Sequence, residues 1–214
     1  AEGFRWLSEP DAYTTAVVVS GLVITSTARW DRYGVQVVIR DAQYTELAGL
    51  DSLAEKPLVA AEPVRLPSGD DDVQTVVLLP AAGPEGPLPV LLYPYGGPHA
   101  QRVLASLGAY GGAQWLADQG FCVIVADGRG TPGQSPAWEH AVHRDLRDPA
   151  LADQIVALER ATAALPGRLD TSRVGILGWS YGGYLAALAV LQRPDVFHAA
   201  IAGAPVIEWR LYDT

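Results

Sequence analysis

Gly178-Trp179-Ser180-Tyr181-Gly182 sets a serine two residues from a glycine on either side. A strand-like run, "RVGIL", precedes it, and a small-residue helical run, "YLAALAVL", follows. A serine nucleophile needs this order. It requires a sharp strand-to-helix turn that lifts the hydroxyl above a sheet, with glycines that let neighbouring backbone pass. The helix starting there also aims its first N–H groups at an oxyanion forming on a substrate. Ser180 is the candidate nucleophile; the alternative is a glycine-rich packing turn in a cofactor-binding α/β domain.

Acyl chemistry also needs donors for the oxyanion. The backbone N–H of Tyr181, the residue after the serine, is one candidate. "VLLYPYGGP" supplies the other, an apolar strand running into Tyr95-Gly96-Gly97-Pro98 at the end where substrates meet such sheets. The Tyr95 hydroxyl can donate to the developing charge; its plain alternative is a packed tyrosine beside a Gly-Pro turn.

The rest of the sequence must hold these groups in place. "GLVITST" and "YGVQVVIRD" are β-branched runs joined by "ARWDR", and "EPVRLPSGDDDVQTVVLLP" reads as another hairpin with Ser-Gly-Asp at its turn. After the loop "AAGPEGPLP" the pattern changes. "VLLYPYGGP" and "FCVIVADGRG" are continuous apolar runs, as in strands buried on both faces of a parallel sheet. "GAYGGAQWLADQG" lies between them with helical content. "DPALADQIVALERATAAL" predicts a helix with Leu151, Ile155, Leu158 and Leu165 on one stripe. A strand, a helix ("YGGYLAALAVLQ") and a further strand ("HAAIAGAP") complete an alternating pattern. The fold class is α/β, a mostly parallel doubly wound sheet with β strands ahead of it.

The 214 residues are 49% hydrophobic and 18% charged, ample for a packed core. The net charge is −9, and Lys56 is the only lysine. An acidic surface repels phosphate backbones, so nucleic acid is not an expected partner. "TTAVVVSGLVIT" is too short and interrupted to span a membrane. Cys122, the single cysteine, sits in an apolar run as a buried hydrophobe, which excludes an intrachain disulfide and fits a reducing, cytoplasmic setting. Asp70, Asp71 and Asp72 form an acidic run at a turn tip; the expectation is a solvated turn rather than a metal site. Neither metal nor cofactor is expected.

Taken in order, "YPYGGPHAQRV", "ADGRGTPG", "LADQIVAL", "RVGILGWSYGGY" and "APVIEWRLYD" resemble the prolyl oligopeptidase family of serine peptidases, most closely its dipeptidyl peptidase IV branch. The resemblance implies an α/β-hydrolase domain over residues 61–214, preceded over residues 1–60 by the last strands of a β-propeller and a linker. It makes Ser180 the nucleophile, with Tyr95 and Tyr181 as oxyanion donors. Val206, Trp209 and Tyr212 become an apolar slot for the residue before the cleaved bond, and such a slot suits proline or alanine. Core packing is the alternative role for Trp209 and Tyr212. The implied activity is release of dipeptides from peptide N-termini, with peptide substrates as partners and a homo-oligomer as the full-length form. The alternatives are an acylaminoacyl peptidase, an oligopeptidase or esterase of the same fold, and a catalytically silent scaffold.

The family's triad runs Ser, Asp, His, and both partners follow strands beyond the serine. No residue here fits that order. His99 reads as rim or packing, His140 and His143 flank a helix, His198 opens a strand, and Asp213 follows the serine too closely. Without its base such a serine loses turnover on the order of a million-fold. The expectation is that the chain is a portion of the catalytic protein, with Asp and His supplied beyond Thr214.

Overall fold

The computed structural model describes residues 8–57, 59–67, 73–83 and 85–212. Two compact units emerge: Ala1–Ala61 with Leu104–Gly111, and Glu62–Val103 with Gly112–Thr214.

In the first unit β1 (Ala12–Val19), β2 (Leu22–Arg29), β3 (Gln36–Arg40) and β4 (Glu46–Asp51) form an antiparallel meander in chain order. The apolar run over residues 14–25 is divided between β1 and β2. Ser20 and Gly21, both at positive φ, close a hairpin in which Val19 pairs with Leu22, as a two-residue turn requires. Trp30, in the β2–β3 connection, stacks on Tyr110 with ring centroids 5.3 Å apart. Four antiparallel strands in chain order have the form of one propeller blade.

The second unit contains β5 (Val64–Leu66), β6 (Gln74–Leu78), β7 (Leu88–Leu92), all but the first residue of α1 (Gly111–Asp118), β8 (Cys122–Asp127), α2 (Pro136–His140), α3 (Asp148–Ala164), β9 (Leu169–Trp179), α4 (Tyr181–Gln192) and β10 (Ala199–Gly203). The sheet order is β10-β9-β7-β8-β6-β5. β8, β7, β9 and β10 run parallel, while β5 and β6 form a hairpin whose inner strand is antiparallel to β8. This is the α/β-hydrolase plan, a mixed sheet with an antiparallel edge. Every residue of β8 is buried, and burial on both faces explains its unbroken apolar sequence. Cys122 is one of these residues, and burial pushes its thiol up to about 12, so it serves as packing.

α3 buries a different stripe from the one its leucines predict. Leu151 and Leu158 are buried, but Ile155 and Leu165 are only half-buried, and Asp153 and Gln154 turn inward instead. Asp153 accepts from the Arg129 backbone N–H at 2.6 Å and from the Arg129 guanidinium at 2.7 Å. Gln154 Nε2 donates to the Ala126 carbonyl at 3.4 Å. They tie α3 to the turn after β8 and to β8 itself. Hydrophobic periodicity cannot register polar residues that are buried because a partner awaits them.

β10 forms an edge, with Ile201 63% exposed. Among the described residues no helix is long and apolar enough to cross a membrane, and no cluster of three His, Cys, Asp or Glu side chains could hold a metal ion. The Asp70–Asp72 run and Asp213 lie outside the described residues.

Candidate active site

Ser180 sits between the last residue of β9 and the first of α4, with φ 57° and ψ −118°. These angles match the first central residue of a type II′ turn, a position that favours glycine and strains any other L-residue. Three contacts hold the bend. The Ser180 N–H donates to the Gly203 carbonyl of β10 at 2.9 Å, and the Ser180 carbonyl accepts from Tyr184 N–H at 3.0 Å. A Cβ on Gly178 would stand 2.0 Å from the Gly182 carbonyl oxygen, so the two glycines of the motif exist for this close approach.

The loop after β7 packs directly on that bend. A Cβ on Gly182 would meet the Pro94 carbonyl oxygen at 2.5 Å, and one on Gly97 would meet the Tyr181 ring at 2.3 Å. Tyr95 lies between these two contacts, its ring centroid 5.9 Å from that of Tyr181. The far end of the loop is pinned by Asp127, the last residue of β8. Its carboxylate accepts from Arg102 N–H at 2.9 Å and from Val103 N–H at 2.8 Å.

Tyr181 uses its two polar groups in different directions. Its backbone N–H opens α4 beside Ser180, while its phenol donates to the Leu146 carbonyl at 2.5 Å. Burial pushes that phenol well above its ordinary range, so it stays a donor. Trp209 stands edge-on to Tyr181 (6.0 Å) and to Tyr184 (5.3 Å), and Tyr212 packs on Trp209 at 5.5 Å. The Glu208 side chain, accepting from Arg210 N–H, caps the short 3₁₀ turn that carries Trp209.

The six residues singled out by sequence, Tyr95, Ser180, Tyr181, Val206, Trp209 and Tyr212, line one cavity of about 180 Å³. Pro98, His99 and Leu146 complete its wall. His99 is exposed and holds a φ of 78°, a left-handed conformation uncommon outside glycine. Leu146 arrives from the connection between α2 and α3, and nothing in its local sequence marks it as a wall residue. The other histidines lie elsewhere. His140 and His143 border a neighbouring groove that shares Leu146 and Trp209 with this cavity, and His198 Nδ1 accepts from Val174 N–H at 3.2 Å.

Comparison with known proteins bears on this arrangement. Residues 109–214 match the model of the prolyl oligopeptidase family. The chain is 41% identical to human dipeptidyl peptidase 8 over 128 residues, which are 59% of this chain and 14% of that protein. It is 38% identical to mouse prolyl endopeptidase FAP over 125 residues, 58% of this chain and 16% of the relative. A crystal structure from Bacteroides ovatus, provisionally named a dipeptidyl aminopeptidase IV, superposes with a TM-score of 0.79 at 27% identity, covering 92% of this chain and 29% of that one. The chain therefore spans a minor part of the length of these relatives. Ser180, Tyr181, Val206, Trp209 and Tyr212 fall within the family match. Tyr95 lies upstream of it, and its place at the cavity rests on the loop geometry.

Two outcomes follow from this geometry. If Ser180 is strained by its backbone, Ser180→Gly unfolds at higher denaturant than Ser180→Ala, the gap being about 1 kcal/mol; equal midpoints would mean the bend carries no strain. The second concerns Asp127, where burial outweighs the N–H bonds from Val103 and Arg102 and the Arg102 charge, raising the carboxyl from 3.8 to about 6. The native state thus holds this proton more tightly than the unfolded chain. Its contribution is complete below pH ~4 and is lost as pH rises through about 6, by on the order of 3 kcal/mol. Asp127→Asn cannot ionise, so wild type should lose stability relative to that variant between pH ~4 and ~7 in denaturant titrations.

Proposed function

We infer that this chain carries the nucleophile, the oxyanion donors and the first specificity pocket of a serine peptidase that releases dipeptides from peptide N-termini. The residue before the scissile bond would be proline or alanine. The observation that carries this reading is a serine held at φ 57°, ψ −118° on the wall of a small, largely aromatic cavity. A volume of about 180 Å³ is below the roughly 300–1,000 Å³ of sites for drug-sized ligands. It suits one compact side chain, and the rings of Tyr181, Trp209 and Tyr212 offer apolar surface to a flat pyrrolidine.

In this reading Ser180 Oγ attacks the carbonyl carbon of the second residue, its proton passing to a general base elsewhere in the protein. The carbonyl oxygen becomes an oxyanion, and Tyr181 N–H and Tyr95 OH donate to it. Cleavage of the C–N bond, with the proton returned to the amine, releases the shortened peptide. Water then attacks the dipeptidyl ester, takes the acyl group and returns the Ser180 hydroxyl. The names of the relatives support the dipeptidyl class, and the aromatic slot supports the proline preference.

The test uses the intact protein with Gly-Pro and Ala-Pro anilides, alongside the N-blocked analogues and simple esters. The free-amine anilides should be turned over, and fluorophosphonate should label Ser180. Ser180→Ala should abolish both, and Tyr95→Phe should lower kcat roughly a hundred- to a thousand-fold with a smaller effect on KM. Turnover of blocked or ester substrates alone would remove the dipeptidyl assignment. Absence of fluorophosphonate labelling would remove the nucleophile.

A further inference from the structure

The wall of the Ser180 cavity draws on four separate segments: the Tyr95 loop, the bend at Ser180, residues 206–212, and the stretch that enters α3. Only the last contributes a single residue, Leu146, and the backbone of that residue is tied to the serine bend. Its carbonyl accepts the Tyr181 phenol at 2.5 Å, a bond made by the residue next to the nucleophile. One position further on, the backbone is fixed again. The Asp145 carboxylate accepts from Arg147 N–H at 3.0 Å and from Asp148 N–H at 3.2 Å. These N–H bonds, with the Arg147 charge, hold the Asp145 carboxyl below its ordinary range, so it accepts them as a carboxylate at neutral pH. The Leu146 side chain is half-buried and packs against the core cluster.

With its backbone clamped on both sides, Leu146 can yield to a larger group only by changing its own rotamer toward the neighbouring groove it also lines. Tyr181 and Trp209 are braced by each other and by Tyr184, so the aromatic side of the cavity is equally stiff. In a cavity of about 180 Å³, one branched aliphatic side chain is a large share of the boundary. Each methylene that fits or fails to fit such a wall changes discrimination by roughly 10- to 200-fold.

The geometry points to Leu146, anchored through the Tyr181 hydroxyl, as the residue that sets how large a side chain the Ser180 cavity admits. This inference rests on Ser180 being the nucleophile, and it adds a specificity determinant from a part of the fold that lies in neither the serine motif nor the 206–212 segment.

The experiment uses the intact protein and dipeptide diphenyl phosphonates ending in alanine, proline, valine or leucine analogues. These probes join Ser180 Oγ to phosphorus with loss of phenol, and they place their side chain where that of a substrate would lie. Leu146→Ala should raise the labelling rate of the leucine and valine probes relative to the alanine probe by about tenfold or more. Leu146→Phe should do the reverse, depressing the proline and valine probes at least about tenfold while sparing alanine. Near-UV circular dichroism reports whether each variant keeps its packing, and the Phe variant alone suffices if the Ala variant does not fold. Unchanged rate ratios in a folded variant overturn the role of Leu146 while leaving the nucleophile in place. A wild-type protein that no probe labels overturns the nucleophile reading, and this inference with it.

Discussion

The site depends on a backbone-to-backbone contact. The bend that carries Ser180 and the loop that carries Tyr95 touch where Gly182 meets the Pro94 carbonyl, with no room for a Cβ between them. The Tyr95 side chain and the Tyr181 N–H, proposed above as oxyanion donors from segments more than eighty residues apart, can converge only if their backbones approach this closely. Side chains interposed at the contact would move the tyrosine hydroxyl off the serine by a distance that electrostatic stabilisation does not tolerate. The strain at Ser180 follows from the same requirement. A relaxed residue there would let α4 start at another angle and would carry its N–H groups away from the cavity.

Behind the contact stands a polar brace. Asp127 takes the N–H groups that end the Tyr95 loop, and two residues later Arg129 is held by Asp153 of α3. Both carboxylates are buried. Burying them costs stability unless hydrogen-bond donors surround them, and the fold accepts that cost next to the site, where loop positions matter most. The raised Asp127 carboxyl shows that the donors only partly offset the desolvation.

The aromatic residues have an analogous division of labour. Tyr181 places its backbone beside Ser180 and its phenol on Leu146, so one residue links the serine bend to the far wall of the cavity. Trp209 meets Tyr181 and Tyr184 edge-on and supports Tyr212. Rigid rings with few rotatable bonds make a slot of defined width, and a small apolar side chain gains dispersion contacts there without polar partners.

The sequence by itself determined most of the elements and the likeness to a serine peptidase family. The unbroken apolar run of β8, the glycine spacing around Ser180 and the order of the matching blocks were legible because burial, turn conformation and motif spacing are local properties of the chain. The antiparallel pairing of β6 with β8 was not legible, and neither was the turn at Ser20 and Gly21 inside an apolar run. Pairing direction and register depend on partners distant in sequence. Asp153 and Gln154 escaped the helical pattern because their burial is set by Arg129 and Ala126, not by their own polarity. Leu146 and His99 joined the cavity only in the folded chain, since a wall built from four segments exists nowhere in one dimension. Local backbone chemistry made Ser180 recognisable; tertiary contact decided what surrounds it.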